Sequence, residues 1–396
     1  MPAFWFALLS WIGLALVVAR AFWSRGLPYA VFSAVMLGLL TASTTLLFPL
    51  VGPLKWAFFP LQFVTLVHFL LLTRPRLRPL WYRALVSVPG SWYAAGALLA
   101  VPWALVAALG FEPWLPWLGW LVALPGVLTS LSTRVEDLEL VLDGRPVAEL
   151  KRVDPGVQRT PRSLSLVQIT DPHLGPFMSV ERLAGICERA VERQPDLILL
   201  TGDYLTMESN NTPGALAKAL EPLKQAQGRV FAIFGNHDHE APDEVRAAMM
   251  ANGIRLLVDE STVVETGAGR VQLLGADHRW TGRDQHLREL VEAHPRVPDA
   301  LRLVLLHDPS SFPFLPDGEA DLVLSGHTHG GQLGLVSLGL EWTFLTSFPG
   351  MPDHGFWGLG RNRLYVHKGT GHYGYPLRLG VPAEESVLRI HQLQGA

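Results

Sequence analysis

One cysteine, Cys187, is the whole thiol complement, so no disulfide can close within the chain. A structural zinc site built on thiolates is excluded for the same reason. Charge is nearly absent from the first third. Residues 1–133 carry only Arg20, Arg25, Lys55, Arg74, Arg76, Arg78, Arg83 and Glu112 as formally charged side chains. The other 263 residues hold the remaining 59 charges, 25 basic and 34 acidic, an ordinary balance for a water-facing domain. The net charge of −3 therefore conceals +6 in the first part and −9 in the second, and neither offers the basic surface that nucleic-acid binding needs. With 49% hydrophobic residues the chain is not disordered, and 396 residues exceed one small domain.

What fills the first part is apolar sequence. Charge-free runs cover 1–19, 26–54, 56–73, 84–111 and 113–133, and about 20 apolar residues cross a bilayer, so five transmembrane helices are predicted. The first run lacks the basic start of a signal peptide and is read as a retained anchor. Ten of the 13 Trp residues lie in this part, many beside the predicted ends, such as Trp23, Trp56, Trp81 and Trp114, where interfacial belts form. Arg20 and Arg25 fall in the first loop and Arg74, Arg76, Arg78 and Arg83 in the third. Positive charge marks the cytoplasmic side, so five spans put the N-terminus outside and everything after Arg134 inside. The same arginines could serve anionic lipid head groups, although topology alone accounts for them. No intramembrane carboxylate pair accompanies His68, so an ion pathway has little support.

From Ser163 onward, β-rich runs alternate with amphipathic segments, and each apolar run stops at metal-ligand chemistry. SLVQIT leads to Asp171 and His173, DLILLTG to Asp203, and RVFAIFG to Asn236, His237 and Asp238; LRLVLL leads to His307, and DLVLSG to His327 and His329. Residues 180–192 place Leu183, Cys187, Ala190 and Val191 on one helical stripe, so Cys187 reads as core. Residues 243–250 read as a shorter helix. Alternating strands and helices predict a layered α/β domain with ligands gathered beyond the strand ends. Gly330 and Gly331 would let the backbone turn so that His327 and His329 reach one site. Carboxylate and amide oxygens mixed with imidazoles suit Mn, Fe or Zn.

These blocks (Asp171-x-His173, Gly202-Asp203, Gly235-Asn236-His237-Asp238, His307, Gly326-His327-x-His329) resemble, in order and type, the signature of the calcineurin-like metallophosphoesterases. The resemblance spans about residues 164–393. It implies a four-layer αββα sandwich holding two divalent metal ions, among which the mixed carboxylate, amide and imidazole donors favour Mn. By position, Asp171, His173, Asp203 and His329 match the ligands of a first metal, and Asp203 the bridge to a second completed by Asn236, His307 and His327. His237 matches the residue that protonates the leaving group or steadies the transition state, with Asp238 orienting it. A bridging water, acidified by the metal pair, would then attack the phosphoester in line. GHTHGGQ and KGTGHYGYPLRLG are similar to a membrane or envelope branch acting on phosphodiesters or lipid phosphoesters.

The expected organisation is a transmembrane domain at 1–133, a linker with a strand pair at 134–163, and a metallophosphoesterase domain at 164–396. The alternatives are a non-catalytic membrane sensor or scaffold binding a phosphorylated ligand, which lost ligands would favour, and a transport module carrying a regulatory hydrolase. His239, His286 and His294 read as exposed. The Asp277-His278-Arg279 triplet reads as a strand exit or a phosphate contact, and His372 as an exposed loop residue or part of the substrate mouth.

Overall fold

The computed structural model describes residues 1–156, 160, 163–348 and 350–392. The last residues of the predicted domain, 393–396, and 157–159 and 161–162 of the predicted linker lie outside the described residues. The chain folds into two compact units.

The first unit comprises Met1–Leu131 together with two short stretches from later in the chain, Met207–Thr212 and Gly374–Leu379. Its helices are α1 (Pro2–Arg25), α2 (Leu27–Leu47), α3 (Lys55–Leu72), α4 (Leu80–Tyr82), α5 (Val88–Leu99), α6 (Val101–Ala108) and α7 (Leu118–Ser130). Among the described residues three helical stretches are long and apolar enough to cross a membrane: α1, α2, and Gly52–Leu72, which contains α3. A fourth exists if Leu80–Leu99 and Val101–Ala108, bent by 53°, act as one span. The expectation of five is not confirmed. Freedom from charge measured run length and not helix length: the 84–111 run breaks between α5 and α6, while α7 has 13 residues and reaches only about 20 Å.

Apolar helices gain little by hiding carbon from lipid, so small residues and buried hydrogen bonds fix their packing. Ser43 Oγ donates to Ala97 O at 3.0 Å and Thr65 Oγ1 to Gly90 O at 3.2 Å. Trp120 seats its indole over Gly96, where an added Cβ would lie 2.3 Å from the ring, and donates Nε1 to Tyr93 O. Trp23, Trp56, Trp81 and Trp114 are all exposed near helix ends.

The second unit covers Ser132–Thr206, Pro213–Tyr373 and the chain from Gly380. Its strands are β1 (Thr133–Leu142), β2 (Val147–Arg152), β3 (Ser163–Ile169), β4 (Leu197–Leu200), β5 (Val230–Ala232), β6 (Arg255–Leu256), β7 (Glu260–Thr266), β8 (Gly269–Ala276), β9 (Ala300–Leu306), β10 (Leu322–Ser325), β11 (Gly355–Gly360), β12 (Asn362–Val366) and β13 (Ala383–Gln392). One sheet runs β1-β13-β3-β4-β5-β6 and the other β2-β11-β12-β10-β9-β8-β7. Both are mixed, yet β3 to β6 and the β8-β9-β10-β12 series are parallel throughout.

Strand alternation builds the layers. Leu303 and Leu305 face the other sheet with Leu197, Leu199 and Leu273, whereas Val304 and Leu306 face Leu287, Leu290 and Val291 of helix α11 (Arg283–Ala293). On the first sheet lies α8 (Val180–Glu192), capped by Ser179, whose side chain accepts from Arg182 N; it buries Leu183, Ile186, Cys187 and Ala190. Arg189 of α8 pairs with Glu385 of β13 at 2.6 Å. The shorter helices are α9 (Ala215–Ala219) and α10 (Pro242–Ala251). The domain is thus an α/β sandwich.

The two strands expected after residue 134 exist, but they do not pair with each other. β1 runs parallel to β13 at the edge of one sheet, and β2 pairs with β11 at the edge of the other. Asp143-Gly144-Arg145-Pro146 looks like a hairpin turn, yet it serves as a crossover between sheets. Because the parallel strands of each sheet point the same way, the loops after β3, β4, β5, β9 and β10 can meet at one end of the sandwich.

Candidate metal centre

Those five loops do converge. The ligand atoms of Asp171, His173 and His329 lie within 4.8 Å of one another, as do those of Asp203, His307 and His327. Asp203 connects the two groups. Its Oδ2 is 3.7 Å from His173 Nε2 in the first and 3.3 Å from His307 Nε2 in the second. Asn236 joins the second group, its Oδ1 2.8 Å from His327 Nδ1.

The donor set is oriented for cations. His307 donates Nδ1–H to Thr201 O at 2.7 Å, which turns the lone pair of Nε2 inward; that buried nitrogen has no hydrogen-bond partner among the described residues. His173 Nε2 and His329 Nε2 approach to 3.1 Å, so one ring can donate to the other or both can face one cation. The residues present therefore fit a pair of divalent ions.

Backbone geometry is spent on this arrangement. Asp171, His173, Asp203, His327 and His329 all have positive φ, and they make up five of the ten such non-glycine residues described, so the unfavourable conformations concentrate at the site. Gly330 and Gly331 take φ of 58° and 70°, the sharp turn that the sequence suggested. Gly235 and Gly326 are close approaches: a Cβ would sit 2.2 Å from Asp203 Oδ1 at the former and 2.1 Å from Asp171 Oδ2 at the latter.

Asp238 does not orient His237 through its side chain. Its carboxylate accepts from Asp203 N at 2.7 Å, Tyr204 N at 2.9 Å and Gly235 N at 2.8 Å, and so ties the β4 loop to the β5 loop. The physical reason is the tight turn after β5, which buries Asp238 against backbone amides. His237 instead presents Nδ1 to Glu240 Oε1 at 3.0 Å, while its own N–H donates to Asp203 Oδ1. Glu240 was legible as a carboxylate three residues beyond His237 on one helical turn. Tyr373 carried no such signal. Its ring stacks on His237 at 4.6 Å between centroids and lies 5.2 Å from His173. Gln332 holds that loop: its Nε2 donates to Tyr373 O, and Tyr373 N donates to its Oε1. His372 turns to Phe177 instead.

His278 lies buried beside the second group, 6.4 Å from the ring of His307 and 6.5 Å from that of His327, whereas Arg279 pairs with Asp259. His239 is exposed and pairs with Asp277; His286 and His294 are half-buried, both bonded to Asp259.

Burial and charge divide the protons unequally. Burial drives His173 down to about 3 and His327 to about 4, keeping both neutral. For His307 burial also lowers the value, but Asp203 outweighs it and pushes the imidazole up to about 10. Burial alone would raise Asp203; His307 and the neighbouring histidines hold it well below the usual carboxylate range. Asp171 is pushed up to about 6, chiefly by burial.

A family model described as calcineurin-like phosphoesterase matches residues 164–331. The chain is 30% identical over 230 residues to phosphodiesterase YaeI of Escherichia coli (strain K12), covering 56% of this chain and 80% of that protein. The chain belongs to the calcineurin-like phosphoesterase family. It is likewise 30% identical to an uncharacterized metallophosphoesterase, YkoQ, of Bacillus subtilis (strain 168), covering 59% of this chain and 84% of the other. A transmembrane protein with metallophosphoesterase domain from Bos taurus is 28% identical over 290 residues, covering 67% of this chain and 62% of that one. The chain is therefore an enzyme of phosphoester hydrolysis.

One consequence of the proton distribution is measurable. Below about pH 10 the metal-free centre holds a proton on His307, and below about pH 6 another on Asp171. A cation must displace them, so Mn²⁺ binding at pH 7 should release about one proton and affinity should rise with pH by up to about tenfold per unit. Calorimetric titration in two buffers of different ionisation enthalpy measures this; a binding heat independent of buffer would refute it.

Proposed function

We propose that the protein is a membrane-anchored dinuclear phosphoesterase, most active with Mn²⁺, that hydrolyses a phosphomonoester or phosphodiester carried by a lipid. The observation that carries the dinuclear part is the position of Asp203 Oδ2 between His173 and His307. Asp171, His173 and His329 would hold one cation and Asn236, His307 and His327 the other, with Asp203 shared. When bound, such a pair supplies Lewis acidity toward phosphoryl oxygens and an acidified water.

The protein's own residues handle orientation and protons. With Glu240 accepting Nδ1–H, His237 is the tautomer whose Nε2 faces the reacting group, and its protonated form can donate there to a leaving oxygen. Burial lowers the basicity of His237, but Glu240 and the Asp203 charge together more than restore it. Tyr373, stacked on His237, restricts the ring's rotation. A non-catalytic sensor would be expected to have lost ligands, and the sequence keeps a ligand-type side chain at all seven positions.

The lipid reading rests on the anchor. Three apolar helices exceed what tethering requires, and only Leu131 and Ser132 separate α7 from β1. An anchor in the same chain raises the effective concentration of membrane-borne substrate. The arginine asymmetry supports a cytoplasmic catalytic unit, since three spans and five spans both return the chain to the side of Arg25 and Arg83. Four would export it.

Asp203→Asn should remove turnover while the fold persists, and His237→Ala should cost about 10²- to 10⁴-fold. That second loss should shrink for nitrophenyl esters, whose leaving group needs no proton. Equal losses for good and poor leaving groups would show that His237 does not donate one.

Reporter fusions after Arg25, Arg83 and Gln392 should all read cytoplasmic. An exported reporter at Gln392 with cytoplasmic readings at the other two would make the bent pair a true span and reverse the orientation.

Full-length enzyme moved from detergent into liposomes should gain kcat/KM on a vesicle-borne phosphodiester relative to soluble bis(p-nitrophenyl) phosphate. An unchanged ratio would remove the case for a lipid substrate.

A further inference from the structure

The arginines beyond α3 do more than set topology. Within the first unit, Ser24 at the end of α1, Thr73, Arg74, Arg76 and Arg78 just past α3, and Asn211 surround an open cavity of about 500 Å³. No carboxylate lines it. Arg78 is committed to shaping the wall: its Nη2 donates to Leu71 O at 3.0 Å and Arg74 O at 3.2 Å, closing the last turn of α3, and its guanidinium packs over the Tyr82 ring. Leu77 N donates to Thr212 Oγ1 at 2.9 Å, which fixes the arginine loop against the 207–212 stretch that supplies Asn211. Burial pushes the carboxyl of Glu208, in that stretch, up to about 8, against the pull of Arg78 and Arg83. Arg74 and Arg76 are exposed and have no side-chain hydrogen bond or ion pair among the described residues, and Asn211 has no side-chain partner there either. The cavity thus has a built frame and two uncommitted guanidinium groups.

We infer that this cavity binds the phosphate of an anionic phospholipid head group. Its depth in the membrane follows from helix length: α1 and the stretch ending at Leu72 each run about a bilayer's thickness before reaching it, which puts the arginines at head-group level. Its chemistry follows from residue type. Topology accepts Lys or Arg alike, yet every cation in the 20–25 and 74–83 segments is Arg, the side chain whose planar fork matches two phosphate oxygens at once. Ser24 and Thr73, whose hydroxyl protons go to Arg20 O and Leu70 O, leave oxygen lone pairs that accept from head-group hydroxyls, and Asn211 adds an amide. This site shares no residue with the metal centre and does not depend on the substrate proposed there.

The test uses the full-length protein in nanodiscs of phosphatidylcholine with and without phosphatidylglycerol, read by exchange of a fluorescent phosphatidylglycerol. The wild type should prefer the anionic lipid, and Arg74→Gln/Arg76→Gln should reduce its affinity about 25-fold, from about five-fold per arginine. Arg74→Lys/Arg76→Lys keeps the charge, and with it the topology, but removes the forks, so it should still lose most of the preference. Hydrolysis of soluble bis(p-nitrophenyl) phosphate should be unchanged in both variants, which verifies folding. Full retention by the lysine variant, or an equal loss in Arg20→Gln, which lies outside the cavity, would reduce the effect to diffuse attraction and overturn the site. Displacement of the lipid by millimolar inorganic phosphate would overturn the assignment to a lipid.

Discussion

The centre depends on one buried carboxylate that meets a candidate metal ligand only at its backbone N–H. Asp238 accepts three backbone N–H groups, from Asp203, Tyr204 and Gly235, and so welds the loop after β4 to the loop after β5. Asp203 sits at φ 57°, a conformation worth roughly 1–3 kcal/mol of strain that a free loop would relax. Charge-assisted bonds to backbone amides are strong enough to offset a cost of that size. Burial raises Asp238 to about 7, so this clamp is itself held close to its limit by desolvation and by the Asp203 charge.

The same economy recurs at the other ligands. Asp171 accepts His327 N at both oxygens, at 3.0 and 2.9 Å, so a ligand of the β3 loop fixes the backbone of the β10 loop. Thr170 Oγ1 donates to Asp171 Oδ2 at 2.6 Å and leaves that carboxylate one orientation. Ligands from the two sheets thereby hold each other, and the sandwich needs no separate device to keep its loops in register at the site. Extended, buried strands end in strained polar residues because those residues bond across the gap between the sheets.

How much of this was legible follows from range. Strand ends and their ligands are local: an apolar run such as LRLVLL followed by His307 declares both the strand and the turn, and β9 ends one residue before that histidine. The helix at Val180–Glu192 was equally plain, although Ile186 and not Val191 completes its buried stripe, a choice made by the sheet beneath. Span number was not legible, because uncharged stretches with a proline at 102, or at 113 and 116, read as apolar whether or not their helices continue. Tyr373 lies outside sequence reasoning for another reason: its place over His237 is set by Gln332, 41 residues away, and loop aromatics have no period. Asp238 misled because adjacency to His237 suggested a side-chain contact that the tight turn forbids.

Charge balance links the geometry to the chemistry. Burial keeps His173 and His327 neutral, so the formal charge of the metal-free centre is set by Asp171 and Asp203 against the one proton on His307. That proton occupies the lone pair through which His307 would hold a cation, and Asp203 stabilises either occupant at 3.3 Å. Replacing the proton by two divalent ions turns a nearly neutral pocket into a strongly positive one, because only two carboxylates oppose four positive charges. Inside a dry site such an excess is costly unless an anion offsets it. A phosphoester supplies that anion, and its negative charge spreads further over the phosphoryl oxygens as the reaction proceeds. The choice of neutral imidazole and Asn236 over further carboxylates is what leaves the excess in place: a third or fourth Asp would hold the cations more tightly and cancel the attraction for the substrate.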